Sequence, residues 1–273
     1  MNGTRAISSA LSRCRRLYQN WLLRLLKLLK LKGSEPLPLN VGILIIGSLL
    51  WDDNRQTWRD SRLEVNSAET ASAPIRYGRL SGKRRGHTYT MVFSRLCPSG
   101  HAKVVRCSHA VSSLQDLIAE AEFLWQAEQL NAARGLIATD WGCVVLLCNP
   151  KRKIPEEIPK GWAERVAREP NYGNVHQTKE EGCIVTKDGL LRIPWPQLVE
   201  GGAPVQLDLL LATANDPTLS GSPPTYPSVD TIANAWNRAA NKHAEYFWKN
   251  TDNGIRTFQD DDIRARLTPR RRQ

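Results

Sequence analysis

The sequence predicts an α+β fold, either a small mixed β-barrel or a strongly twisted sheet with flanking helices. Two observations lead to this class. Predicted strands outnumber predicted helices, and the two types are mixed irregularly along the chain instead of alternating as they do around a parallel sheet. The assignment uses the hydrophobic period: short apolar or alternating runs are typical of strands, and longer runs with a period of about 3.6 are typical of helices.

In the first half of the chain, the strand predictions depend on short β-forming runs bounded by turn residues. The predicted strands are 43–46, 73–79, 87–93 and 102–107. A glycine-bounded basic turn, 82–86, separates the second strand from the third, and the polar stretch 52–72 is interpreted as helix or loop.

In the second half, a helix is predicted to begin after Ser113, because Asp116 stands three residues on, as in a capping box. This helix is expected to end near residue 130. A second helix should end at Glu169, since the following Pro170 disfavours helical geometry there. The predicted elements that follow the first helix are a buried strand at 141–147, a helix at 156–169, a hairpin around 187–189, an apolar run at 205–212 and an amphipathic helix at 229–248.

The formal net charge of +11 lies in the two ends of the chain. Residues 1–33 hold eight Lys or Arg and residues 264–273 hold five, and neither segment has an acid. The body between them has 25 basic and 27 acidic residues. A basic total usually indicates a nucleic-acid partner, but the near-neutral body argues against that partner here. We therefore predict a basic amphipathic leader at 1–38, a single domain at 39–263 and a basic tail at 264–273.

The leader places cations at every third position, Arg24, Lys27 and Lys30, with leucines between them. On a helix these cations would form one stripe opposite an apolar face. The charges interrupt the apolar run, so it fits neither a bilayer span nor the core of a signal peptide. Three interpretations stay open: a helix on an anionic membrane surface, a transit-type presequence and an unstructured leader. We prefer a surface helix or a leader, in a cytoplasmic or peripheral membrane protein.

Six cysteines in 273 residues are too few for a disulfide scaffold and fit reduced thiols in the cytosol. Cys97, His101, Cys107 and His109 lie within thirteen positions, but their spacing matches no standard zinc motif. The chain has no phosphate-binding or dinucleotide-binding glycine motif. We therefore predict no metal and no cofactor.

The most informative segment is 43–51, where four apolar residues run directly into Gly47 and Ser48. A buried strand that stops at glycine leaves backbone N–H groups free to face a ligand. Such a turn can hold a carboxylate or a phosphate. We predict that Gly47, Ser48, Leu49 and Leu50 line the main pocket and bind substrate there.

Three short motifs follow one another along the chain. They are Gly47-Ser48-Leu49, Trp141-Gly142-Cys143-Val144-Val145, and Arg168-Glu169 with Tyr172-Gly173. In this order they resemble the γ-glutamylcyclotransferase fold family, especially its glutathione-specific branch. The turn Arg84-Arg85-Gly86-His87 is similar to the basic turn between the family's early strands. The resemblance covers residues of about 43–175.

This resemblance implies the γ-glutamylcyclotransferase-like fold and an enzyme that acts on a small γ-glutamyl amine. The substrate's α-amine would attack its own γ-carbonyl, forming 5-oxoproline and releasing an amine. Glu169 would be the catalytic acid and base, and backbone amides near Ser48 would hold the carboxylate or the oxyanion. The family chemistry requires neither a metal nor a nucleotide.

Two other glutamates compete with Glu169 for the catalytic role. Glu122 is predicted beside the apolar face of the 113–130 helix, and Glu128 within that face. The alternative function is a non-catalytic protein of the same fold that binds a partner or a membrane surface. Ile46 in place of the family's Tyr, and the absence of Leu-Asp before Glu169, favour this alternative.

Overall fold

A computed structural model describes residues 38–130, 132–172, 184–239 and 241–268, without the side chains of 84 and 241–244. It contains a six-stranded mixed sheet, a separate two-stranded sheet and flanking helices. The α+β class is therefore confirmed. Residues 1–37 of the predicted leader lie outside the described residues, as do residues 173–183 and 269–273.

The six-stranded sheet has the order β2-β5-β1-β8-β7-β6, and β3 pairs with β4 in the second sheet. Only the β1–β8 pair is parallel among the described strands; the other pairs are antiparallel. The strands are β1 (Val41–Ile45), β2 (Glu69–Ala73), β3 (Ile75–Leu80), β4 (Tyr89–Phe93), β5 (Gly100–Arg106), β6 (Ala138–Thr139), β7 (Gly142–Cys148) and β8 (Leu209–Asn215).

The centre of the sheet is formed by the most continuous apolar runs of the chain. All five residues of β1 are buried, and six of the seven in β7 and in β8 are buried. Strands covered on both faces have such unbroken apolar sequences. The Gly47-Ser48 turn therefore directly follows a buried inner strand of the sheet, which fixes where the turn begins.

Six α-helices are described: α1 (Gln56–Arg62), α2 (Leu114–Glu128), α3 (Glu157–Ala167), α4 (Val229–Arg238), α5 (Asn241–Asp252) and α6 (Asp260–Arg266). The predicted start of α2 is confirmed, because the Ser113 hydroxyl accepts a hydrogen bond from the Asp116 amide at 3.2 Å. Ser228 caps α4 in the same way, through the Thr231 amide at 3.1 Å.

The sheet does not close into a barrel within the described residues, so that form of the prediction is not found. Both edges are protected without closure. The edge strand β2 bonds to the segment 197–199, with Ser72 N–H donating to the Gln197 carbonyl at 2.8 Å and Val199 N–H to the Thr70 carbonyl at 2.9 Å. The opposite edge, β6, is only two residues long. Short or covered edges avoid open pairing sites.

Three boundaries differ from the sequence prediction. Residues 69–73 form β2, because Ala71 and Ala73 are buried in alternation with polar neighbours. The predicted 229–248 helix is two helices, α4 and α5. The predicted basic tail begins inside α6, where the Arg266 guanidinium pairs with Asp230 at 2.6 Å, so the domain extends past residue 263. Among the described residues, none of the helices has the length and apolar character needed to cross a membrane.

Candidate functional site

A narrow cleft, partly open to solvent, lies where β1 ends. The space between its walls is about 400 Å³ when the solvent at its mouth is included, and about 30 Å³ of that space can hold the centre of a water molecule. Its walls come from segments far apart in sequence: the 47–49 turn, the β3–β4 hairpin, the end of α2, the end of β8 and helix α5. The lining residues are Ile46, Gly47, Ser48, Leu49, Arg79, Arg85, Thr90, Met91, Glu128, Thr213, Asn215 and Tyr246. Eight of these twelve residues have polar side chains, so the cleft is more polar than the usual ligand site, which is lined mainly by apolar groups.

The predicted turn contributes three of its four residues to the cleft. Gly47, Ser48 and Leu49 line it, whereas Leu50 does not, and the Leu50 amide donates to the Gly47 carbonyl at 3.3 Å. Ser48–Leu50 form one turn of 3₁₀-helix. The amides of Ser48 and Leu49 have no acceptor among the described residues. These two donors are therefore available to an anion.

A buried arginine that the sequence prediction missed fixes this turn from below. Arg59 on α1 is buried, and its guanidinium donates to the carbonyls of Leu49 at 3.0 Å and Asp52 at 2.7 Å. Burial lowers the pKa of Arg59, although neighbouring aspartates oppose the shift. On the other side, the Trp51 indole donates to the Asn250 side chain at 2.7 Å. The turn is thus held by both α1 and α5.

Gly47 lies directly against the ring of Tyr246. A methyl group at Gly47 would come within 2.6 Å of the Tyr246 hydroxyl, while the next nearest ring atom would be at 3.6 Å. Tyr246 is itself fixed by Trp236, which stacks on it with ring centroids 5.6 Å apart. Only glycine therefore fits at position 47 without moving a wall of the cleft.

The first prediction concerns this contact. Gly47→Ala should lower the free energy of unfolding by about 1–3 kcal/mol, the usual cost of overpacking. In a Tyr246→Phe background the same change should cost clearly less, because the closest atom is gone. Urea denaturation of the four proteins measures the difference. Gly82→Ala is the matched control, since its new methyl group would meet nothing within 4 Å. Equal costs in both backgrounds would contradict the contact.

The cleft combines two guanidinium groups with one carboxylate. Arg79 is half-buried with its guanidinium 4.5 Å from the Trp141 ring centre, and Arg85 is exposed. The carboxylate is that of Glu128, the last residue of α2. Burial raises the pKa of Glu128, against the opposing effect of Arg85, Arg55 and Arg79. Among the described side chains, no cation lies within 4 Å of this carboxylate.

Asp216 follows the cleft residue Asn215, and burial raises its pKa to about 6 even though Arg79 opposes the shift. One oxygen of its carboxyl group is buried and has no hydrogen-bond partner among the described residues. An acid whose pKa is raised on folding is more protonated in the folded state than in the unfolded state. Its contribution to stability is therefore lost as the pH rises from about 4 to above 6.

We expect Asp216→Asn to remove this loss. The variant should have a higher Tm than the unchanged protein at pH 7.5, and the difference should shrink as the pH falls to 4.5. Thermal unfolding followed by circular dichroism at both pH values tests the sign. A variant that is less stable at pH 7.5 than at pH 4.5, relative to the unchanged protein, would contradict the raised pKa.

The structure does not bring Glu169 to this cleft. Glu169 is 5% exposed and lies just after α3, where its carboxylate pairs with Arg165 at 2.9 Å and accepts from the Ile137 amide at 3.3 Å. Glu122 also pairs with Arg165, at 3.7 Å. These two sequence candidates therefore share one cation and do not line the cleft, whereas Glu128 lines it together with the 47–49 turn.

Sequence reasoning missed Arg79, Asn215 and Tyr246. A β-bulge explains why alternation could not assign Arg79: Tyr77 pairs with Met91 but Arg79 pairs with Thr90, so one extra residue shifts the register. For Tyr246, the available signal was Gly47 itself, since a glycine at a strand end often marks the close approach of another group. Which group approaches it is a property of the tertiary fold.

No group of three or more metal-ligating side chains occurs in the part of the chain that the structure describes. No protein-family model, curated protein or solved structure matches this chain. The γ-glutamylcyclotransferase resemblance therefore stays a prediction from three motifs, and the function has to be argued from the cleft.

Proposed function

We propose that the cleft binds the amino-acid head of a γ-glutamyl amine and cyclises the γ-glutamyl group to 5-oxoproline, with release of the amine. One observation carries the proposal. Glu128, a carboxylate without a close cation among the described side chains, lines the same cleft as the Ser48 and Leu49 amides and the Arg79 guanidinium.

These groups match the charges of an α-amino acid. The substrate's α-carboxylate would be held by Arg79 together with the free amides of the turn, because charge-assisted hydrogen bonds are the strong ones. The α-ammonium would lie against Glu128. The Arg79 guanidinium lies over the Trp141 ring, and this cation–π contact helps to hold the guanidinium in position.

The reaction would need one carboxylate that first accepts and then donates a proton. Glu128 takes a proton from the α-ammonium, and the freed α-amine attacks the γ-carbonyl carbon. A new carbon–nitrogen bond closes the five-membered ring and the γ-amide bond breaks. Glu128 then returns this proton to the departing nitrogen as the bond breaks. It carries the second proton, which the ring nitrogen loses, to the released amine, which leaves as an ammonium. Burial raises the pKa of Glu128 and so makes its carboxylate a better proton acceptor than an exposed one.

Negative charge develops on the γ-carbonyl oxygen during this attack. Hydrogen-bond donors already in position stabilise such charge without reorganising. The α-carboxylate occupies the amides of Ser48 and Leu49, so the Ser48 hydroxyl, which lines the cleft beside them, is the donor proposed for this charge. The proposal thus keeps the turn in the role that the family resemblance implies, but moves the proton transfer from Glu169 to Glu128.

A substrate panel tests the proposal. The purified protein is incubated with γ-glutamyl amines that differ in the amine, and mass spectrometry follows 5-oxoproline and the released amine. The proposal expects both products in equal amounts, and expects Glu128→Gln to lose them. Binding without turnover by any compound would instead favour the non-catalytic binding protein. Neither binding nor turnover would end the γ-glutamyl assignment.

A further inference from the structure

Asn215, the last residue of β8, brings an unpaired side-chain amide to the cleft. Its Oδ1 atom is buried and has no hydrogen-bond partner among the described residues. Its Nδ2 atom has no acceptor among them either, but this atom is not buried. Because Asn215 lines the cleft, the open Nδ2 atom is a hydrogen-bond donor within reach of a ligand there.

The orientation of this amide is set by Gly142, the residue opposite Asn215 on the neighbouring strand β7. A methyl group at Gly142 would come within 2.8 Å of Asn215 Oδ1, so the oxygen occupies space that the side chain of another residue would need. The Trp125 ring borders the same space, at 3.4 Å from that methyl position. Oxygen and nitrogen branch from one planar carbon, so an oxygen held over Gly142 turns the nitrogen away from Gly142.

The register of the sheet brings Asn215 next to the turn that holds the proposed substrate. Strands β1 and β8 are parallel, with Leu44 beside Ala212. Continued past the end of β1, this register aligns Gly47 with Asn215, and both residues line the cleft. The Asn215 amide therefore lies beside the start of the 47–49 turn, close to the Ser48 hydroxyl.

Several other donors that line the cleft already have partners. The Thr90 hydroxyl donates to the Arg79 carbonyl at 3.4 Å, and the Tyr246 hydroxyl is hydrogen-bonded to neighbouring groups. Arg79 is assigned to the α-carboxylate of the substrate. Arg85 is the cation that acts most strongly on Glu128. The Asn215 amide has none of these commitments.

We infer that Asn215 is a catalytic residue whose Nδ2 atom donates a hydrogen bond to the γ-carbonyl oxygen while the substrate cyclises. This inference rests on the proposed function, in which the Ser48 hydroxyl also serves that oxygen. When the α-amine attacks, the new carbon–nitrogen bond forms and an electron pair of the carbonyl moves onto the oxygen. The pair returns when the γ-amide bond breaks and the amine leaves with the proton from Glu128. Two donors fixed before the attack stabilise this charge better than one.

The shape of the closing ring supports a separate donor for this oxygen. In 5-oxoproline the carboxylate and the former γ-carbonyl are attached to the two carbons that flank the ring nitrogen. With the nitrogen at Glu128 and the carboxylate at Arg79 and the turn amides, the carbonyl oxygen points to a different part of the cleft wall. The Asn215 amide belongs to that wall and is still unpaired.

Substitution of Asn215 tests the inference. In Asn215→Ala, kcat for a γ-glutamyl amine should fall by about 10²–10³-fold, the usual loss for one oxyanion donor. KM should change little, because the hydrogen bond strengthens only in the transition state. Asn215→Asp keeps the shape, lacks the donor and should also lose kcat. Asn66→Asp makes the same change at an exposed asparagine that does not line the cleft, and it should keep full turnover. Melting curves verify that each variant is folded.

A pair of substrates gives a measurement that a purely structural role of Asn215 would not change. A γ-glutamyl thioamide has sulfur in place of the γ-carbonyl oxygen, and sulfur is a weak hydrogen-bond acceptor. The ratio of the amide rate to the thioamide rate should be about 10-fold smaller in Asn215→Ala than in the unchanged protein. The reason is that the variant has no donor whose bond the sulfur could weaken.

Three results would overturn the role of Asn215 even if the unchanged protein forms 5-oxoproline: a kcat that survives both substitutions, an unchanged rate ratio, or a rise in KM alone. Loss of kcat in Thr213→Val, two residues earlier on β8, with full activity in Asn215→Ala would assign the donor role to Thr213 instead. If the unchanged protein forms no 5-oxoproline from any γ-glutamyl amine, the proposed function and this inference are both wrong.

Discussion

Glu128→Gln is expected to lower turnover of a γ-glutamyl amine by about 10²–10⁴-fold, the usual contribution of general acid–base catalysis. The substitution keeps the shape of the side chain and removes its ability to carry the proton. Folding should change little, because Glu128 ends α2 beside the cleft and forms no described ion pair shorter than 4 Å. Initial rates by mass spectrometry, with a melting curve for each protein, separate the two effects.

Glu122→Gln is the matched control, since it changes a glutamate of the same helix that pairs with Arg165 and does not line the cleft. It should keep full turnover. A Glu128→Gln variant with undiminished turnover, or a Glu122→Gln variant that loses turnover, would show that the proton is carried elsewhere.

Glu169→Ala is expected to act on stability, lowering the free energy of unfolding by about 3 kcal/mol. Its side chain is 1% exposed and its partner Arg165 only 16%, so the substitution leaves a largely buried cation without its nearest counter-charge. Removing one partner of a buried pair typically costs this much. The Ile137 amide also loses its acceptor. Urea denaturation measures the loss.

Glu164→Ala serves as the control for this variant. Glu164 lies on the same helix and pairs with Arg168, but both side chains are more than half exposed, at 56% and 77%. An exposed pair of this kind contributes little, about 0–1 kcal/mol.

If Glu169→Gln folded normally and lost turnover while Glu128→Gln kept it, the assignment by motif order would be correct and the assignment by cleft geometry wrong.

The turn at Gly47 could be predicted because its signal is local. An apolar strand that stops at glycine needs only its own sequence to indicate a surface turn with free amides, and three of the four predicted residues line the cleft. The fourth, Leu50, fails for an equally local reason: the turn winds into a 3₁₀-helix, which uses the Leu50 amide.

The sequence narrowed the catalytic carboxylate to three glutamates but could not choose among them. The helical period placed Glu128 within the apolar face of α2, and the position before Pro170 placed Glu169 at a helix end. Both side chains proved to be at least half-buried. The two differ in their surroundings. Glu169 pairs with Arg165, one helical turn earlier, whereas Glu128 lies at the end of α2 and lines the cleft. The packing of α2 against the sheet decides this, and it depends on contacts between distant segments.

The remaining walls of the cleft illustrate the same limit. Tyr246 lies about 200 positions from Gly47 in the sequence, and its helix was predicted as part of one longer amphipathic segment. Arg79 faces the cleft because of the register shift at Gly78, which breaks the alternation that a sequence pattern assumes. Neither the approach of Tyr246 to Gly47 nor the register shift at Gly78 can be read from a single sequence.

The most direct test of the central claim is a crystal structure of the protein with bound 5-oxoproline, the product that every proposed substrate shares. The account predicts the product in the cleft, with its carboxylate at the Ser48 and Leu49 amides and Arg79, and its ring N–H directed at Glu128. Density for the product beside Glu169, or an empty cleft at a concentration that saturates binding in solution, would contradict it.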